Sequence, residues 1–230
     1  MNKKLFRTAF LDTVPVMTGY VFLGFGFGIL MYRSGFGVLW AAAMSLFIYA
    51  GSMQYVAIPL LTSGASLLTA AMTAFVVNAR HLFYGISMVD TYKGMGKKKP
   101  YLIFGLTDET YSLVSQLQIP EGVSRSRYCF LVTLFDHIYW VSGTVLGSLT
   151  GTLLPINYEG VDFALTALFV TIFVEQWLST KNHGPAIVGV AATVICLILF
   201  GSDVFLIPSM VIIAASLILM RKAGKEDSRA

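Results

Sequence analysis

The 230-residue chain is 56% hydrophobic and only 12% charged, with a mean hydropathy of +0.74; soluble domains run at about 45–50% apolar and about 25% charged. Its net charge of +4 is gathered at the ends of apolar segments, with no basic patch interleaved with aromatics, so it speaks to membrane orientation and not to nucleic acid. These figures exclude a soluble globular domain and predict an all-α fold, a polytopic transmembrane helical bundle forming one membrane domain over 1–230.

A hydrocarbon core of about 30 Å takes roughly 20 apolar residues per helix, which leaves room for seven to eight segments. In chain order they fall at 9–32, 37–62, 66–91, 101–119, 128–153, 161–179, 184–200 and 203–220. The first follows the basic stretch Asn2-Lys3-Lys4-Leu5-Phe6-Arg7. It continues past Tyr32, contains Asp12 and Pro15, and lacks a small-residue cleavage pattern, so the expectation is a transmembrane helix and not a signal peptide. Cys129 and Cys196 lie inside apolar segments and read as small hydrophobes. No metal or cofactor site is expected.

Basic residues collect at the N-terminus, at Lys93/Lys97/Lys98/Lys99, at Arg125/Arg127 and at Arg221/Lys222/Lys225. The positive-inside rule puts all of them, and both termini, in the cytoplasm. Parity then conflicts with simple crossings, because three segments precede the lysine loop and one separates it from Arg125. The economical solution makes 37–62 and 101–119 broken or re-entrant, which is allowed where the backbone lines a cavity or is buried in protein. Gly51-Ser52-Met53-Gln54 with Pro59 marks the first, Leu106-Thr107-Asp108-Glu109-Thr110 the second. The rival topology is eight full crossings, which violates the charge rule once. Matching spacings, Leu46-Phe47/Gln54-Tyr55 against Leu168-Phe169/Gln176-Trp177 and Asp12/Gly19/Gly24/Gly28 against Asp136/Gly143/Gly147/Gly151, read either as an internal repeat of the transporter kind or as chance.

Polar residues inside apolar segments are costly, so each is a functional candidate by default. Asp136, Trp140, Gly143, Gly147 and Gly151 advance by four, three, four and four and share one helix face. The Gly-x-x-x-Gly ridge implies close helix packing, so Asp136 faces protein, either as a hydrogen-bonding group or in transport. Asn78 and His81 form an i, i+3 pair, with Arg80 directed elsewhere. Arg80 stays charged and needs a partner among Asp108, Glu109, Asp136 and Glu175, either as a helix-locking ion pair or as a contact for a substrate carboxylate. Asp108, Glu109, Asp136 and Glu175 are the candidates for carrying a proton; the plainer role for Asp108 is an N-cap. A half-helix beginning at Gly51-Ser52 would offer free N–H groups to a carboxylate. With Gln54, Asn78, Arg80 and His81, these residues form the candidate substrate site.

Taken together, Pro15-x-x-x-Gly19-Tyr20 with Gly24/Gly28, Tyr49-Ala50-Gly51-Ser52-Met53-Gln54-Tyr55, Asn78-Ala79-Arg80-His81 and Thr107-Asp108-Glu109 resemble the azaleucine-resistance (AzlC) family, the large subunit of bacterial branched-chain amino-acid exporters. The resemblance covers essentially the whole chain, with the C-terminal third matching mainly in hydrophobic pattern. It implies a bacterial inner-membrane location, export of leucine, isoleucine and valine with methionine as a further candidate, and a small separate membrane partner, AzlD. Such a substrate is zwitterionic and net neutral, so the membrane potential drives its export only if another charge moves. One entering proton supplies roughly 2.3 kcal/mol per 100 mV, about a fiftyfold gradient. No phosphate-cradling nucleotide motif is present, which favours a secondary transporter. The competing classes are a passive channel, a scaffold subunit and an integral-membrane enzyme. The last lacks a His-Glu-x-x-His pair or a Gly-x-Ser-x-Gly elbow.

Overall fold

The computed structural model describes residues 3–115, 124–153 and 182–201, with shorter stretches between 163 and 180 and between 205 and 220. Every regular element among them is helical, as backbone in hydrocarbon requires, since each N–H and C=O must be satisfied within its own segment. The chain divides into two compact units, Met1–Thr166 and Ala167–Ala230.

The first unit is organised around two long helices, α1 (Lys3–Arg33) and α8 (Arg125–Leu153). Both are long and apolar enough to cross a membrane. They pack in parallel, with successive contacts running upward in both: Asp12 with Tyr128, Thr13 with Tyr139, Val21 with Gly143, Phe25 with Gly147 and Tyr32 with Gly151. The seam is set by glycines. A Cβ on Gly143 would lie 2.6 Å from the Val21 carbonyl oxygen, and one on Gly24 2.8 Å from that of Trp140. Gly147 against Phe25 and Gly28 against Thr144 are tighter still. The expected ridge on α8 is therefore real, and Gly24 and Gly28 supply its counterpart on α1.

Between these helices lie two hairpins and one kinked passage. From the far end of α1, α2 (Val38–Phe47) descends until Ser45 bonds Thr144 and its carbonyl accepts from His137. The chain turns through residues 48–50, and α3 (Gly51–Thr62) climbs back, with Gly51 against the Trp140 ring and the Tyr55 hydroxyl donating to the Leu23 carbonyl. Segment 37–62 is thus a helical hairpin that begins and finishes at the same end of the unit. Its break falls at 48–50, just before the Gly51–Gln54 stretch that the sequence suggested, so that Gly51 opens the second half-helix.

Opposite it, α6 (Lys99–Phe104), entered through a 3₁₀ turn at Gly96–Lys98, rises from Phe130 to His137, and α7 (Asp108–Ser115) descends until Val114 joins a core cluster with Leu5 and Tyr128. Segment 101–119 is a hairpin too, as far as residue 115. Its tip, Gly105–Thr107, approaches α8 so closely that a Cβ on Gly105 would strike the Thr133 methyl.

Segment 66–91 runs between the two ends as α4 (Leu67–Asn78) and α5 (Arg80–Met88). A continuous helix is the sequence expectation; the structure kinks it at Asn78–Arg80. The Asn78 amide donates to the Ala74 carbonyl, the acceptor its own N–H would use, and the next bonds tighten to i−3 (Ala79 to Val76, Leu82 to Ala79). Leu5, Ala9, Tyr92, Met95, Tyr128 and Cys129 share one core cluster. The α1 start, the lysine loop and the α8 start therefore lie at one end of the unit. Eight full crossings would put the lysine loop at the other end.

Large apolar side chains face outward, with Leu39 85%, Leu67 90% and Phe22 72% exposed, as on a lipid-facing surface. In the second unit, α9 (Gly184–Phe200) starts with Pro185 in its first turn, and Trp177 stacks on His183 at 4.0 Å. Much of segment 161–179 and part of 203–220 lie outside the described residues, as do Leu168, Phe169 and Gln176 of the repeat comparison.

Candidate functional site

The two hairpin tips meet beside the middle of α1 and α8. Tyr49 sits at the first tip with φ +46°, a left-handed conformation unusual for an aromatic residue. It ends α2 in the manner usually left to glycine, its N–H and that of Ile48 both reaching the Met44 carbonyl. The strain, about 1–2 kcal/mol, is offset by burial of its ring on His137 (4.2 Å between centroids) and Phe104 (6.0 Å). His137 is held in one tautomer: Nε2 donates to the Ser45 carbonyl, leaving Nδ1 to accept from the Tyr101 hydroxyl at 3.1 Å.

Arg80, at the α4/α5 kink, clamps both tips. One guanidinium nitrogen donates to Ser52 Oγ in the first turn of α3 at 2.7 Å, and another lies 2.9 Å from Asp108 Oδ2 in the first turn of α7. The pair is only partly shielded, with side chains 29% and 21% exposed. Of the four carboxylates that the sequence offered, Asp108 is the partner. The α3 N-terminus has no side-chain cap, so its first-turn N–H groups and Arg80 together present an electropositive end. The cap of α7 is Thr107, whose Oγ1 accepts from the Thr110 N–H at 3.3 Å; Asp108 follows it as the first helical residue and is not the cap.

From Glu109, the residue after Asp108, a chain of hydroxyls leads inward. Tyr20 Oη on α1 lies 2.6 Å from Glu109 Oε2 and 2.6 Å from Thr107 Oγ1. Thr107 Oγ1 is 3.0 Å from Thr110 Oγ1, which is 2.7 Å from Asp136 Oδ2. Asp136 is fully buried, and its Oδ1 has no protein partner; the Asn78 Oδ1, Asp108 Oδ1 and Tyr49 hydroxyl oxygens are buried and unpaired as well. Buried polar atoms without partners are costly, and here they accumulate where the helices break.

The structure sorts the predicted residues. Ser52, next to Gly51, joins Arg80 and Asp108 in one bonded group, and Glu109 and Asp136 belong to a second that adjoins it through the 108–109 peptide. Asn78 lies beside Arg80 at the kink, and His81 donates from Nδ1 to the Asn78 carbonyl at 3.2 Å. Gln54 is fully buried behind the site, its amide donating to Ser45 and accepting from the Trp140 indole at 2.9 Å. It pins α3 to α2 and α8. Glu175 lies outside the described residues. Sequence reasoning missed Tyr20, Thr110 and the kink; the signals available were the capping threonine three residues before Thr110 and the tyrosine within the Gly19-Tyr20 motif. Cys129 and Cys196 are free and buried, and no cluster of three or more metal-binding side chains occurs among the described residues. A groove of about 690 Å³ in the second unit carries no carboxylate among its described lining residues.

Hairpin tips meeting around a partly shielded ion pair, inside a bundle sheathed in exposed apolar side chains, define a helical membrane protein with a polar centre. The chain belongs to the AzlC family, whose AzlC protein family model matches residues 15–154. It is 44% identical over 227 residues to the branched-chain amino acid transport protein AzlC of Bacillus subtilis, covering 96% of this chain and 89% of that protein. An uncharacterized membrane protein of Haemophilus influenzae is 41% identical over 206 residues (89% and 84% covered), and inner membrane protein YgaZ of Escherichia coli 31% over 186 residues (80% and 76%). No solved structure matches.

Proposed function

We propose that the chain is a secondary transporter that exports branched-chain amino acids, coupled to proton entry. The observation that carries this reading is the Arg80 clamp: one cation, at a helix kink, bonded to the first turns of two half-helices whose tips meet at mid-depth. Interrupted helices that aim their N-termini at a midplane site are how many transporters hold an amino-acid carboxylate. The substrate carboxylate docks at the open α3 N-terminus, Gly51-Ser52, and Arg80. The ammonium is received by the unpaired oxygens of Asn78 and Asp136, and the alkyl group by the aromatic side chains around the tips. Gln54 supports the site from behind, and His81 braces the kink.

The basic end, carrying the α1 start, the lysine loop and the α8 start, faces the cytoplasm by the positive-inside rule. A small AzlD-like membrane subunit completes the working transporter. The test is efflux of preloaded radiolabelled leucine from proteoliposomes, with and without that subunit, under an imposed pH gradient. Gradient-accelerated, saturable efflux is expected. No leucine flux with the subunit present would overturn the substrate assignment, and flux indifferent to the gradient would overturn the coupling.

A further inference from the structure

Four oxygen–oxygen contacts join Glu109 to Asp136 through Tyr20, Thr107 and Thr110, at 2.6, 2.6, 3.0 and 2.7 Å. The three hydroxyls bring only three protons, one short of filling every contact. Were both carboxyls ionised, the outer hydroxyls would turn toward them and one interior contact would face oxygen to oxygen with no hydrogen between. A single additional proton on either carboxyl fills all four. We infer that Glu109 and Asp136 share one proton and exchange it along the hydroxyls of Tyr20, Thr107 and Thr110 without an intervening water.

The exchange balances. As the Glu109 O–H bond breaks, its proton passes to the Tyr20 oxygen, the Tyr20 proton to Thr107, the Thr107 proton to Thr110 and the Thr110 proton to the Asp136 carboxylate. Every hydroxyl ends neutral, having reversed its direction of donation, and one proton has moved from a half-buried carboxyl to a fully buried one. The ionisable groups around the line are Tyr49 at the first tip, Arg80 and Tyr84 on α5, Tyr101 on α6, Asp108 on α7, and Tyr128 and His137 on α8. Arg80 is engaged by Asp108 and Ser52, and His137 by Tyr101 and Ser45, so neither interrupts the line. The three hydroxyl residues are positioning and conducting groups; the carboxyls are the proton holders.

This rests on the proton-coupled reading for its purpose, but its test does not need transport. The purified protein is followed by time-resolved infrared spectroscopy of the carboxyl C=O band after a downward pH jump, with Asp136→Asn used to assign the Asp136 component. In Thr110→Val, which keeps the shape and removes the hydroxyl, protonation of Asp136 is expected to slow at least tenfold; Tyr20→Phe should do the same, and Thr110→Ser should restore the native rate. Native rates in a folded Thr110→Val protein would overturn the relay, as would an Asp136 band that never appears on acidification of the native protein. Loss of leucine flux with the relay kinetics intact would instead fault the transport reading.

Discussion

Replacing Arg80 by alanine removes two bonds at once and leaves Asp108 without its cation between two helix tips. At 2.9 Å and an effective dielectric of about 20 the gross attraction is roughly 6 kcal/mol. Desolvation of both groups consumes most of that, but less than in a sealed core, since both side chains stay partly exposed. The net coupling should fall between the surface value of at most about 1 kcal/mol and the 3–5 kcal/mol lost on breaking a buried pair, so about 1–3 kcal/mol. A double-mutant cycle over Arg80→Ala and Asp108→Asn, read by reversible unfolding in detergent–lipid micelles, measures it. A coupling below about 0.3 kcal/mol, within the error of additivity, would refute the clamp. The same four proteins separate locking from binding. If Arg80 only neutralises Asp108, the double variant regains the leucine efflux that Arg80→Ala loses. If Arg80 also holds the substrate carboxylate, the double variant stays inactive although its stability recovers.

Gly147→Ala drives a methyl into the Phe25 carbonyl and should cost about 1–3 kcal/mol, whereas Gly19→Ala, with nothing near its Cβ, should gain up to about 1 kcal/mol from helix propensity; thermal unfolding decides both. Gln54→Ala strands the Trp140 N–H and should lose about 1–3 kcal/mol while leaving the leucine KM of the folded fraction unchanged, and a KM shift without a stability loss would move Gln54 into the binding site. In a Cys129→Ser, Cys196→Ser background, a membrane-impermeant maleimide should reach cysteines at Lys93 and Arg125 from one side and at Ser63 from the other. Labelling of Lys93 and Arg125 from opposite faces would disprove the hairpin at 101–119.

Charge bookkeeping made the hairpins legible before any coordinates. Once the N-terminus, the lysine loop and Arg125 were all assigned to one side, an even passage through 37–62 and through 101–119 was the economical solution, and both segments carried Gly, Ser, Thr or acidic residues where a helix breaks. The first break lies earlier than expected because the strained residue is Tyr49, whose left-handed backbone is stabilised by tertiary stacking on His137 and leaves no local signature. The kink at Asn78 escaped notice for a related reason, since an asparagine that bonds the carbonyl four residues back looks like any polar residue on a helix. Arg80's need for a carboxylate was evident from its charge, but which of four it met depended on how the tips align. Tyr20 and Thr110 were invisible as chemistry, because hydroxyls in apolar helices acquire meaning only from the neighbours that folding brings to them.

The parallel seam between α1 and α8 determines where the protein can deform. Carbonyls of Val21 and Phe25 seat against glycines of α8, and carbonyls of Trp140 and Thr144 seat against glycines of α1. A slip of one helical rise, about 1.5 Å, would carry each carbonyl toward a neighbour that has a Cβ. The seam is a rack toothed on both edges, and it resists shear in either direction. The hairpins meet this keel through side-chain hydrogen bonds and ring faces, not through backbone seated on glycine, so they are the compliant parts. Closely packed elements switch between discrete arrangements and do not bend continuously, and on this frame the switching falls to the hairpins hinging against a spine that stays still.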